Sequence, residues 1–380
     1  MHVVVIPSDY ATVYNPQKTP FYRDHARLPA LQGHRVGVIA PIAVSLRFAL
    51  RQRRWRFGFE RHGDDGPETW IYPYPAPPKT RFLDRIVRRR LTRRLLRKYV
   101  ARHGRPDLLH AHGDRAAEAA RHVSASTGIP YVITLHAKEF FEPQAPRLVA
   151  KLDSTLRQAA LRLAVSPAFA QRLHELTGLA YKVLPNPVDT DFFSPGPPAG
   201  DPTGTFTFAC VAALNDNKNH RLLLDAFARA FGGDLRYRLA LAGDGPDREP
   251  VRARVAELGL SEQVDLRGQL DRESLRALYR QSQACVLAST FETFGVVLAE
   301  AMACGLPIAA TRTAGAEYVV SHRALGCLSA HEPEALADAM REVALGSYDL
   351  DTLRHAVVDR FSPARVSAGL NTVYQEALGG

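Results

Sequence analysis

The sequence predicts an α/β protein built of two Rossmann-like, doubly wound parallel-sheet domains facing a central cleft. Three observations carry this expectation. Short apolar runs without polar alternation recur between helix-length segments, as strands buried on both faces do. The rhythm stops at a Pro/Gly-rich stretch, "FFSPGPPAGDPTG" from Phe192, and then restarts. The 380 residues exceed one ordinary core and suit two.

In chain order, the first set of strands is "HVVVI" from His2, "RVGVIA" from Arg35, "LLHAH" from Leu108, "YVITLH" from Tyr131, "RLAVS" from Arg162 and "YKVLP" from Tyr181. The second set is "FTFACVAAL" from Phe206, "RLALAG" from Arg238, "VDLRG" from Val264, "ACVLAS" from Ala284, "PIAAT" from Pro307 and "LGCLS" from Leu325. This gives a first domain over 1–190, a linker over 191–203 and a second domain over 204–362. The last segment, 363–380, has helical periodicity and is expected to pack back on the first domain.

The apolar fraction of 46% is that of a globular protein. Four cysteines without C-x-x-C spacing read as reduced, buried thiols in a cytoplasmic protein. "MHVVVIPS" has no charged segment ahead of its first strand, so no secretory signal is expected. The apolar stretch from Val36 to Leu46 is too short to span a bilayer.

The net charge of +10 is concentrated. Arg47 to Arg105 holds 18 Lys and Arg against five Asp and Glu. Within it, "RFLDRIVRRRLTRRLLRKYVARHG" from Arg81 places Leu83, Val87, Leu91 and Leu95 on one helical stripe expected to pack on the sheet. With "RQRRWRFGFER" from Arg51, it gives a cationic face carrying Trp55, Phe57 and Phe59. Such a face suits an anionic membrane surface or a lipid-diphosphate acceptor. Nucleic acid is not expected, because no recognition motif accompanies the charge.

Ligands of open parallel sheets bind beyond the carboxyl ends of the strands. His136, Asn215 to Lys218, Asp244 and Glu292 all stand there. Glu292 belongs to "FETFGVVLAEAMACGLP" (Phe291 to Pro307), which places a second carboxylate, Glu300, eight positions on in an otherwise apolar segment. A helix from near Gly295 to Gly305 would offer free N–H groups to an anion at its start. The carboxylates themselves suit sugar and ribose hydroxyls; the alternative is a structural ion pair with an arginine for each. Lys218 stands at an apparent helix start, where a cation is disfavoured unless an anion joins it.

"STFETFGVVLAEAMACGLPIAATRTAGAEYVV" resembles the Glu-x7-Glu signature of the retaining glycosyltransferases of family four, which have the GT-B fold. "LPNPVDTDFFSP", "LALAGDGPDREPV", "LGCLSAHEPEALADAM", "LQGHRVGVIAP" and "YVITLH" agree with it. The resemblance implies transfer of a hexose-type sugar from a UDP- or GDP-sugar to a glycan, lipid-linked or small-molecule acceptor, in bacterial polysaccharide or glycoconjugate synthesis. It implies no cofactor and no metal. By the same likeness Glu292 would bind hydroxyls of the transferred sugar, Glu300 the donor ribose, and Lys218 the diphosphate. Backbone amides near Phe294, Gly295 and Val296 would hold sugar and diphosphate, with Val297, Asn215 and Gly243 beside the donor. His136 would contact the donor sugar near the reacting carbon.

Two departures are visible. Where the family usually has an arginine five residues before the lysine, Ala213 stands, and Arg267 is a candidate replacement. No glycine occurs from Asn15 to Tyr22, where the family commonly has a glycine-rich turn. His110 and His112 share one strand face without a completed metal cluster, which reads as strand packing. "GDGPD" from Gly243 lacks dinucleotide-site spacing. Two other functions stay open: a catalytically impaired nucleotide-binding scaffold and a nucleotide-sugar epimerase.

Overall fold

The computed structural model describes residues 1–10, 20–51, 57–62, 66–76, 81–136, 138–196 and 204–379. They form two compact units, Met1–Pro187 with Val366–Gly380, and Val188–Arg365. The first contains, in order, β1 (His2–Pro7), α1 (Pro20–Arg27), β2 (Arg35–Val44), α2 (Leu46–Arg51), β3 (Glu60–His62), β4 (Glu68–Pro75), α3 (Arg81–His103), β5 (Leu108–His112), α4 (Asp114–Thr127), β6 (Tyr131–Leu135), α5 (Ala145–Arg157), β7 (Leu161–Ala164), α6 (Pro167–Thr177) and β8 (Lys182–Val183). Its sheet runs β3-β4-β2-β1-β5-β6-β7-β8, and every pair is parallel but β3–β4.

The second unit contains β9 (Phe206–Val211), α7 (His220–Phe231), β10 (Tyr237–Ala242), α8 (Arg248–Glu257), β11 (Val264–Gly268), α9 (Arg272–Gln281), β12 (Ala284–Leu287), α10 (Val296–Ala303), β13 (Ile308–Thr311), α11 (Ala314–Val319), β14 (Gly326–Ser329), α12 (Pro333–Leu345) and α13 (Leu350–Phe361). Its sheet is parallel throughout, in the order β11-β10-β9-β12-β13-β14. The last helix, α14 (Pro363–Gly379), joins the first unit from Val366 onward. Its Val366, Leu370, Val373 and Tyr374 enter a core with Val3, Val5, Val38, Leu108 and Val132. Ser367 Oγ donates to Leu28 O at 2.6 Å, which satisfies a buried hydroxyl there.

The units divide at Pro187/Val188, ahead of the turn-rich stretch. Val188 N–H donates to Phe361 O at 2.8 Å, and Arg272 pairs with Asp189 at 2.6 Å. Phe193 is buried beside Tyr279, with ring centroids 6.0 Å apart. These contacts hold the chain up to Gly196 on the second unit; residues 197–203 lie outside the described residues.

Two sequence expectations are corrected in the first unit. The strand β4, "ETWIYPYP", is missing from the predicted strands, and it carries Pro73 and Pro75. The register explains it: β3 pairs only as far as Ile71, so both prolines lie on a stretch whose outer edge needs no ladder donor. The buried face of α3 shares Leu95 with the predicted stripe, while Val87 and Leu91 are half-buried. Leu83 is 48% exposed, and the inward residues are Arg88, Thr92, Leu95, Leu96 and Tyr99. Arg88 turns in because its Nη1 donates to the Pro41 carbonyl of β2 at 2.8 Å, a partner outside the helix pattern. Of the predicted cationic face, 52–56 lie outside the described residues, as do 15–19 of the glycine-poor loop.

Candidate functional site

The second unit assembles its candidate residues where β9, β10, β12 and β13 end. After β9, a single 3-10 turn (Asp216–Lys218) precedes α7. Lys218 therefore closes a separate turn, and Asn219, at φ 46°, caps α7 through its side chain. The anion that offsets the Lys218 charge is in the protein: Lys218 Nζ pairs with Glu292 Oε1, and both side chains are largely buried. The charge partner of Glu292 is thus a lysine and not an arginine.

Ser289 Oγ donates to the same Glu292 oxygen at 2.8 Å. Asn217 ties the two segments together, donating from Nδ2 to Phe291 O at 3.1 Å and accepting from Thr290 N–H at 2.8 Å. The neighbouring Asn215 Oδ1 is buried with no partner among the described residues.

Gly295 sits at φ 85°, a left-handed conformation favoured by glycine, and starts α10. Leu298 N–H already donates to Gly295 O at 3.0 Å. The geometry of a helix start then leaves the Val296 and Val297 N–H groups without intrahelical acceptors. Phe294 anchors the turn, packing edge-on to Phe361 at 5.1 Å. Glu300 lies a turn further in. Tyr279 OH stands 3.4 Å from its Oε2, and burial together with this carboxylate holds the phenol well above its ordinary pKa.

Sequence reasoning passed over Gly315, whose N–H donates to Glu292 O at 2.9 Å. A Cβ there would meet Phe294 backbone atoms at 2.5–2.6 Å. The signal was a glycine inside an otherwise helical "TAGAEYVV", which marks a close backbone approach. Gly315→Ala is expected to cost about 1–3 kcal/mol of stability and to unseat the Glu292 turn. Thermal unfolding and UDP or GDP titration check this; an unchanged midpoint with unchanged affinity would refute it.

Gly243 is explained the same way: a Cβ would stand 1.8 Å from Ala212 O, so only glycine lets this loop lie on the turn after β9. Arg267 is on the edge strand β11 and its Nε donates to Asp265 Oδ2 at 2.8 Å. The described contacts do not join it to Lys218.

His136 belongs to the first unit, at the end of β6. Its Nε2 lies 3.2 Å from His112 Nδ1. The His25 ring lies tilted 5.0 Å from His112 and edge-on 5.5 Å from His136, and His110 lies 4.1 Å from His112. Tyr22 meets His136 edge-on at 5.4 Å. Burial, then the neighbouring histidines, keep these imidazoles neutral: His110 falls to about 3, and His112 and His136 lie well below the ordinary value. His25 falls to about 4 by burial, opposed by its bond to Asn186. The cluster reaches α14, where Tyr374 OH lies 2.7 Å from His110 Nδ1. His110 and His112 thus pack against each other as strand residues do, but within a polar stack drawn from four elements.

Residues 23–192 match the family model described as Glycosyltransferase Family 4, and residues 197–357 match that described as Glycosyl transferases group 1. Two D-inositol 3-phosphate glycosyltransferases are similar. The one from Corynebacterium jeikeium is 29% identical over 227 residues, 53% of each chain. The one from Thermobispora bispora is 28% identical over 312 residues, 72% of each. The chain thus spans about half the length of the first. Sucrose-phosphate synthase from Thermosynechococcus elongatus superposes with a TM-score of 0.81 at 19% identity, covering 100% of both chains. HepE of Anabaena, in complex with UDP and glucose, gives 0.73 at 17%, covering 98% of this chain and 99% of its own. At these identities the structural likeness is one of fold.

The two parallel-sheet units are those of the GT-B fold. A glycosyltransferase family model is matched on each unit, so both halves of the chain are similar to GT-B glycosyltransferases.

Proposed function

We propose that the chain is a retaining, metal-independent hexosyltransferase using a nucleotide-diphosphate sugar, UDP- or GDP-linked. The observation that carries this reading is the Lys218–Glu292 pair, backed by Ser289, at the open start of α10. An incoming diphosphate takes Lys218 from Glu292 and accepts from the Val296 and Val297 N–H groups. Glu292 then accepts from sugar hydroxyls and Glu300 from the ribose. The buried, unpartnered Asn215 Oδ1 supports a ligand close by.

The acceptor hydroxyl attacks the anomeric carbon from the face the diphosphate leaves. The new C–O bond forms as the old one breaks, and a leaving phosphate oxygen takes the proton. Lys218 and the helix dipole stabilise the charge on the diphosphate, the role a metal ion would otherwise fill. His136 is taken as a contact of the donor sugar.

Glu300→Gln should weaken UDP or GDP binding by about tenfold to a hundredfold, the loss of a charge-assisted hydrogen bond. Glu292→Gln should lower turnover and largely spare that affinity. Calorimetry and product formation in EDTA test both. Wild-type nucleotide affinity in both variants, with intact turnover in Glu300→Gln, would reject the assignment, as would abolition of activity by EDTA.

We also propose that the chain works at the cytoplasmic face of a membrane. No helix among the described residues is long and apolar enough to cross one. Supporting surface contact, Phe82 is 69% exposed at the start of the arginine-rich α3, beside the exposed Leu83. Phe82→Ser with Leu83→Ser should abolish sedimentation with anionic liposomes at low salt. Wild-type protein that stays in solution would leave an acceptor in the aqueous phase.

A further inference from the structure

Four arginines on two helices of the first unit, α3 and α4, gather beside two carboxylates. Asp84, Arg85, Arg88, Arg89, Arg115 and Glu118 line a small cavity between α3 and α4. Arg85 pairs with Glu118 at 2.5 Å, and Asp84 accepts from Tyr74 OH at 2.6 Å. Both carboxylates are thereby engaged. Arg88 is 3% exposed and bonds Pro41 O through one nitrogen, yet its buried Nε–H has no acceptor among the described residues. Arg89 keeps a buried Nε–H in the same state. Arg115, exposed in the first turn of α4, makes no ion pair among the described residues.

Two unsatisfied buried guanidinium donors are costly. Planar guanidinium groups match the oxygens of phosphate and carboxylate. The place matters as much as the charge. Arg115 follows His112 by three residues, and β5 pairs with β1 so that His112 stands opposite Pro7. A Cβ at Gly113 would meet Ser8 Oγ at 2.6 Å and Tyr22 OH at 3.2 Å, so the start of α4, β1 and the histidine stack are contiguous. The cluster therefore lies at the carboxyl ends of the sheet, where a ligand of this unit binds.

We propose that Arg88, Arg89 and Arg115 form a subsite for an oxyanion, phosphate or carboxylate, borne by the sugar acceptor. The acceptor is thus an anionic molecule, and the subsite orients its hydroxyl. The inference rests on the chain's transferring sugar to an acceptor held by this unit.

The test uses the full chain with Arg89→Gln and Arg115→Gln, singly and together; Arg88 is left in place because its bond to β2 supports the fold. In the first arm, inorganic phosphate is titrated by phosphorus NMR and thermal shift at constant ionic strength, with chloride as reference. Wild type should bind phosphate, and the double variant at least about tenfold more weakly. The second arm compares glucose 6-phosphate, glucuronate and glucose as acceptors. The ratio of kcat/KM for a charged over the neutral acceptor should exceed about ten and fall towards one in the double variant. No phosphate binding, or a ratio near one in the wild type, overturns the subsite. Loss of vesicle sedimentation alone, with phosphate binding and the ratio kept, assigns the arginines to a membrane and overturns it too. If no nucleotide sugar is consumed at all, the transferase reading falls, while the phosphate arm still decides the anion site.

Discussion

Lys218→Ala is expected to slow sugar transfer by a factor corresponding to about 2–4 kcal/mol in the transition state, the usual loss on removing one preorganised charge stabiliser. The cause is twofold. The leaving diphosphate loses its cation, and Glu292 is left with Ser289 Oγ, at 2.8 Å, as its remaining side-chain partner at that oxygen. Because the negative charge grows as the donor bond breaks, kcat should fall more than nucleotide affinity. Steady-state kinetics with UDP- and GDP-sugars, together with direct nucleotide titration, measure both. A kcat within about threefold of wild type would remove Lys218 from the transition state.

Acid should unfold the first unit before the second. His25, His110, His112 and His136 are neutral in the fold, with pKa values drawn below the unfolded value of about 6.5. The unfolded chain therefore binds more protons as pH falls. The stability these groups confer is complete above about 6.5 and is lost as pH drops towards their folded values. Each adds a slope of up to about 1.4 kcal/mol per pH unit, so four together can exhaust a typical domain stability within a few units. Glu118 works in the opposite sense, since burial raises its carboxyl. Among the described residues of the second unit one histidine is so lowered, His220, to about 4. Both tryptophans, Trp55 and Trp70, fall in the residue range of the first unit, so their fluorescence follows it alone. Its acid midpoint should lie above that of the remaining far-UV signal; coincident midpoints would disprove the order of unfolding.

The sequence by itself determined the parallel α/β class, the restart of the strand rhythm in the second half, the buried helix after Gly295 and the glutamate pair eight residues apart. These are local patterns: a strand buried on both faces and a helix without a polar face each leave a periodicity in consecutive residues. Only the tertiary structure decided what meets across distance. It set Glu292 against Lys218, 74 residues earlier in the chain, and Tyr374 against His110, 264 residues apart. It admitted Pro73 and Pro75 to a strand because β3 stops short of them. It turned Arg88 inward because a carbonyl of β2 was there to receive it. A buried charge or imidazole is tolerated according to the partner it finds, and the partner is chosen by topology, which no run of neighbouring residues encodes.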